Sequence, residues 1–393
     1  MAHLRHPLHV VASVKSILLR AIISATLCGL ATICAQAQDS QQSGGDESWT
    51  KTTDSAAQNF NPSRTTESHT KSGNRTVDKQ KLEVLGPNGR YRPSSETETE
   101  TVQVDGSTTR TVVRSYQWNE NGQRILTQVT EENSRTSASG DTRLERKTSN
   151  ADVNGNFQVV QREVADTRKL SSGAEETKSS VYRADSYGGF TPVGQTQELK
   201  TRTADDSVAV KKTTLLPDGN GSWKVSGVSE KTIKDDGKNR TTEERVSSAD
   251  LEGRLQESSR TVAKETETLS GEKRSVVETY DGSAQLNSRV TKTQKKDSSG
   301  EIIEEKMEGP NLGNPTDGPK ITGRAKYVVK YAGPGTQQTT GTVEIRDANG
   351  NYKVVSSDTQ TSTQPRPAQP APTQTQPPPP QKSDTPTPKT DKP

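Results

Sequence analysis

From residue 71 to 308 the chain alternates short runs of branched and polar side chains with breaks at Asp, Asn and Gly, and the breaks are evenly spaced. Asp-x-x-Gly occurs at Asp152–Gly155, Asp185–Gly188, Asp218–Gly221 and Asp250–Gly253, at steps of 33, 33 and 32 residues. Asn88-Gly89 and Asn119–Gly122 extend the series upstream, and Asp281–Ala284 and Asp347–Gly350 extend it downstream. A second set of breaks falls halfway between, at Gly73, Gly106, Gly140, Gly173, Asp206, Gly237, Gly271 and Gly300. Each period therefore holds two turns and two segments of similar length.

The segments are rich in Thr, Val, Ser, Arg and Glu, as in Arg110 to Tyr116, Phe157 to Val164 and Arg274 to Tyr280. Branched side chains fit a pleated surface and lose freedom in a helix, so the pattern predicts strands. Asp or Asn followed by Gly supplies the local hydrogen bonds and the positive φ of tight hairpin turns. Fifteen turns from Gly73 to Gly300 predict about 16 strands. The expected fold is all-β: an elongated antiparallel hairpin array, thin and single-layered. A β-solenoid is the alternative, but segments such as Thr142 to Thr148 lack the apolar alternation its interior requires.

Two positions after each first-type Gly stands a large residue: Tyr91, Phe157, Phe190, Trp223, Leu255 and Tyr352, with Leu286 after Ala284. At hairpin spacing these form a ladder on one face that pins register. Flat rings in such a row could also meet sugar rings, which makes Tyr91, Phe157, Phe190 and Trp223 the candidate binding residues.

The ends follow other rules. Residues 1–37 read as a signal peptide: a basic stretch ending at Arg20, an apolar run from Ala21 to Ile33, and a small-x-small site that predicts cleavage after Ala37. The run is too short to span a bilayer, and no other segment qualifies as a transmembrane helix. Residues 38–70 form a polar lead-in expected to be disordered, with Phe60 where a degenerate first unit would place its large residue. The array occupies 71–308, a Gly/Pro-rich linker 309–323, and a terminal β segment or cap 324–358. The Pro/Gln/Thr-rich tail, 359–393, has too little apolar surface to fold.

Cleavage removes both cysteines and three of the four histidines, leaving His69. It also removes Arg5, Lys15 and Arg20 of the 53 basic residues, so the mature chain carries 50 against 50 acidic ones. That balance gives no basic surplus for nucleic acid. Disulfides, cysteine nucleophiles and Cys/His zinc sites are excluded from the mature chain. A Ser-His-Asp triad would have to use His69, and no phosphate loop is present. Calcium is the metal worth weighing, because Asp152-Val-Asn-Gly155, Asp218-Gly-Asn-Gly221 and Asp347-Ala-Asn-Gly350 are oxygen-rich loops. Each offers one carboxylate where calcium takes six to eight oxygens, and turn chemistry accounts for both Asp and Gly. No metal or cofactor is therefore expected.

Tyr280-Asp281, the Gly253-Arg254-Leu255 run and the Asp-x-x-Gly spacing resemble the tyrosine-aspartate repeats of large secreted bacterial shell and toxin proteins. The period here is longer than theirs, and the resemblance implies only an extracytoplasmic β-repeat. The functional expectation is a noncatalytic secreted or periplasmic protein, an envelope scaffold or adhesion surface with polysaccharide or protein as partner. A carbohydrate-binding module using the aromatic row is the second reading, and a hydrolase acting on envelope polymer the third.

Overall fold

A computed structural model describes residues 47–57, 62–203, 205–311, 318–333, 336–347 and 349–363. The segment read as a signal peptide, Phe60 and the part of the tail beyond residue 363 lie outside the described residues.

Twenty antiparallel strands follow one another around a single sheet. They are β1 (Glu47–Ala57), β2 (Ser63–Ser72), β3 (Arg75–Leu85), β4 (Tyr91–Gln103), β5 (Thr108–Trp118), β6 (Arg124–Thr136), β7 (Thr142–Ala151), β8 (Phe157–Lys169), β9 (Glu175–Ala184) and β10 (Phe190–Arg202). The second half comprises β11 (Val208–Pro217), β12 (Trp223–Asp235), β13 (Asn239–Ala249), β14 (Leu255–Glu267), β15 (Lys273–Asp281), β16 (Leu286–Lys296), β17 (Gly300–Gly309), β18 (Lys320–Gly333), β19 (Thr336–Arg346) and β20 (Tyr352–Thr363). The hairpin meander is as the spacing predicts, with the regular array running from β2 to β17.

The open array is corrected. β20 pairs with β1 in register from Thr52↔Thr363 to Ala57↔Asp358, which joins the two edges and makes an up-and-down barrel. An open meander leaves a row of unpaired N–H and C=O groups at each end, and closure removes both. The segment read as a cap thus completes the ring instead of covering an edge. β1 and β2 lie within the stretch read as a lead-in, and β20 runs past the boundary at 358. β17 and β18 likewise take in the two ends of the linker read at 309–323.

Every even-numbered strand from β4 to β20 carries one extra residue near its start, at Ser94, Thr127, Val160, Val193, Ser226, Ser258, Asn287, Thr322 and Val355. Such bulges bend the strand and raise its right-handed twist, the curvature a ring needs. Pro93 and Pro192 each directly precede a bulge, where a missing N–H costs the ladder least. Several bulged hydroxyls donate across the interruption: Thr127 to the Ser115 carbonyl at 3.0 Å, Ser226 to Thr214 at 3.2 Å and Ser258 to Val246 at 3.0 Å.

Substantial strand contacts occur only between neighbours in the ring, so the wall is one layer thick. Buried apolar side chains are few, with Ile303, Ala325, Tyr327, Val329 and Val343 gathered on one face of β17–β19. There the Tyr327 ring covers Gly341 on the neighbouring strand, where a Cβ would meet it at 2.7 Å.

Candidate functional site

Partners across a ladder share a face, so the register carries one face around the whole ring. One face is dominated by threonine and serine. Cross-strand hydroxyl pairs run along it: Thr101 with Thr111 at 3.3 Å, Thr130 with Thr148 at 3.3 Å, Thr167 with Thr177 at 2.9 Å and Ser179 with Thr196 at 2.8 Å. Several of the charges on this face are tied together, as where Arg146 bridges Glu132 at 2.6 Å and Glu163 at 2.9 Å. The buried group around Ile303 belongs to this face.

The opposite face is a mesh of charge. Arg114 reaches Glu98 and Glu100, which also meet Lys79 and Arg75. Arg289 bridges Glu278 and Glu308, Lys326 meets Glu304 at 2.9 Å, and Arg324 pairs with Glu344. Over β16–β20 this face bounds a concavity of about 740 Å³ lined by Thr293, Glu304, Lys326, Arg324, Glu344 and Tyr352 among others. A surface of paired charges and hydroxyls suits water and small polar solutes.

All even-numbered strands start at the same rim, which gathers the row read from the sequence. Tyr91, Phe157, Phe190 and Trp223 open β4, β8, β10 and β12 on the charged face. Arg64 lies over Tyr91 with Cζ 4.5 Å from the ring centre, and Arg162 lies over Phe190 at 4.1 Å. The same motif joins Arg124 to Tyr116, Arg260 to Tyr280 and Arg324 to Tyr352. These ring faces hold guanidinium groups, contacts worth roughly 0.5–1 kcal/mol at exposed sites. Phe157, 40% exposed, has no such cover among the described residues.

At this rim the Asp-x-x-Gly loops share one geometry. Asp152 Oδ1 accepts the N–H groups of Asn154 and Asn156 at 2.8 and 2.9 Å, and Gly155, at φ +83, closes the turn by donating to the Asp152 carbonyl at 3.0 Å. Asp185, Asp218, Asp250 and Asp347 accept the same pair of N–H groups. Gly188, Gly221, Gly253 and Gly350 take the place of Gly155, each with positive φ. Backbone donors hold the Asp152, Asp218 and Asp250 carboxyls below the ordinary carboxylate range. Among the described residues no group of three or more His, Cys, Asp or Glu is placed to hold a metal ion. His69 stacks on Trp49 at 5.6 Å and its Nδ1 meets Asp78 at 2.6 Å.

The bulge column and the arginine caps had escaped the sequence reading. Their signal was present as a hydroxyl or branched residue three positions after the row residue, at Ser94, Val160, Val193 and Ser226.

No protein-family model matches the chain, and no curated protein matches it in sequence. Among solved structures it is similar to the copper transporter OprC (7% identity, 83% of this chain and 81% of that one, TM-score 0.44). It is similar as well to the siderophore receptor PirA from Acinetobacter baumannii (6%, 83% and 81%, TM-score 0.45). A mutant Rh. blastica porin is a third (8%, 81% and 100%, TM-score 0.40). All three likenesses are distant and say nothing of cargo.

The expectation of a secreted scaffold or adhesion surface is corrected, and with it the carbohydrate-binding module. The joining of β1 to β20 overturns the extended two-edged surface on which the scaffold rested and creates an interior. The module required a continuous row of open ring faces, and Tyr91 and Phe190 stack against arginine, which leaves Phe157 and Trp223 as separated members of the row.

Proposed function

We propose that the chain is a channel-type barrel of the cell envelope, exported by its first 37 residues, that encloses a water-filled passage for small hydrophilic solutes. The observation that carries this reading is closure of twenty strands into one single-layered ring. Eight strands make an interior that side chains can fill, whereas rings of sixteen or more leave an aqueous space. Twenty strands at ~4.8 Å spacing and ~40° tilt give a ring roughly 40 Å across, wider than side chains from opposite walls can bridge. Both faces carry hydroxyls and paired charges, so whichever face lines the interior is wettable.

The test is reconstitution of residues 38–393 into liposomes loaded with sugars of graded size. Release of small sugars with retention of large ones is expected. A chain that releases nothing at any protein-to-lipid ratio, while its barrel is verified by circular dichroism, overturns the passage.

One observation favours a second placement of the same passage. A barrel embedded in lipid presents an outward apolar band about 25 Å tall. The threonine face instead carries Arg146 with its two glutamates, and the other face carries the ion pairs of Arg114, Arg289 and Lys326. In this placement the barrel is a conduit in the aqueous part of the envelope. Extraction decides between the two: release by carbonate or salt alone supports the aqueous conduit, and a requirement for detergent supports the embedded channel.

A further inference from the structure

We propose that the rim opposite the Asp-x-x-Gly loops carries a binding site for a phosphate group, free or borne on a small solute, built by Arg135, Arg143 and Arg168. The three side chains surround a cavity of about 320 Å³ whose wall also includes Ser139, Asp141 and Asp166. Arg135 is the last residue but one of β6, Arg143 the second of β7 and Arg168 the last but one of β8, all on the charged face.

The register sets two of these cations face to face at the rim. Arg135 stands directly opposite Arg143. Like charges directly opposite on neighbouring strands are destabilising. The corresponding pairs elsewhere on this rim are Val102 with Arg110, Arg168 with Glu176, Thr201 with Ala209 and Thr266 with Arg274. None of these sets one cation against another at this rim, although the register does so farther along the strands at Lys147 with Arg162, Arg245 with Arg260 and Lys306 with Arg324.

Of the three arginines, only Arg143 is ion-paired with nearby carboxylates among the described residues. Arg143 engages Glu145 at 3.0 Å and Asp166 at 3.5 Å. Glu176, opposite Arg168, is held by Lys178 at 3.1 Å. Asp141 accepts from the Ser139 hydroxyl at 2.9 Å and from the Lys169 N–H at 3.1 Å. Arg135 and Arg168 are left with no ion pair or side-chain hydrogen bond among the described residues. Two free guanidinium forks flanking a third make a receptor for an oxyanion that accepts paired N–H donors. A phosphate group offers three strong acceptor oxygens, enough to engage both forks that no carboxylate occupies within ion-pair distance.

The site is independent of any passage through the barrel and is tested without transport. Inorganic phosphate and glycerol phosphate are titrated into the full mature chain by calorimetry at low and high salt. Binding of at least one is expected, weakening with salt. Arg135→Gln with Arg168→Gln should weaken it at least tenfold, and Arg274→Gln, at the same rim in another repeat, should leave it unchanged. If inorganic phosphate alone binds, the ligand is the free ion; if glycerol phosphate binds more tightly, it is the ester. The melting temperature of the double variant verifies folding and should equal or exceed the parent's, because the variant removes repulsion. Absence of binding by both probes, or binding unaltered in a folded double variant, overturns the site.

Discussion

The bulged hydroxyls show how a single atom maintains a ladder that has been interrupted. Where Ser226 interrupts the register opposite Thr214 and Leu215, its hydroxyl donates to the Thr214 carbonyl at 3.2 Å. Ser226→Ala should therefore cost about 1 kcal/mol, the usual net worth of one such bond, in reversible denaturant unfolding. Val160 and Val193 occupy the same place without a hydroxyl, so the loss is local and the ring should stay closed. Ala284 offers the opposite change. It replaces the turn glycine at φ +60, a left-handed conformation disfavoured for a side chain bearing a Cβ. Ala284→Gly should stabilise the protein by up to ~1 kcal/mol, and an unchanged denaturation midpoint would show the strain to be absent.

The hairpins were the most legible part of the sequence, because their signals are local. Asp, Asn and Gly at the turns act within five residues, and Asp152 or Asp218 can be read without knowing what lies across the sheet. The bulges were not legible in that way, since one extra residue matters only against a partner strand whose register is unknown. The arginine over Phe190 comes from β8, two strands away, and the row therefore looked like open rings. The turn chemistry also sets the acid limit of the fold. Backbone donors lower the carboxyls of Asp152, Asp218, Asp250 and Asp281, so their contribution is complete above the ordinary carboxylate pKa and is lost as pH falls through their depressed folded values. Thermal melts should be level from pH 7 to about pH 5 and decline below about pH 4. Asn119 already serves one such turn, accepting the N–H groups of Asn121 and Gln123 at 3.1 and 2.9 Å. Replacing the four aspartates by asparagine should consequently flatten the acid decline while the turns persist, and an unaltered decline would place the acid sensitivity elsewhere.

Closure is a property of the whole ring, and no short stretch of sequence announces it. The length of the meander, the twist accumulated at nine bulges and the pairing of two distant edges decide it together. Thr53 and Ser362 become partners although more than three hundred residues separate them. A repeat read unit by unit specifies its hairpins equally well for an open ribbon and for a barrel. The remote pair supplies a direct chemical test, since residues 38–393 contain no cysteine of their own. Ser55 and Gln360 face one another across β1 and β20, and facing residues of paired strands lie within reach of a disulfide. Oxidation of the Ser55→Cys, Gln360→Cys variant should join the ends into a loop that migrates faster on a denaturing gel and returns to the parent position on reduction. Moving one cysteine to Thr213, on the far side of the ring, should abolish the link. If Ser55→Cys and Gln360→Cys remain reduced under conditions that oxidise a Thr65→Cys, Leu82→Cys pair between β2 and β3, the edges do not meet. The passage would fall with them, because an open ribbon encloses nothing, whereas the phosphate site on β6–β8 would stand, since its three arginines belong to consecutive strands far from the seam.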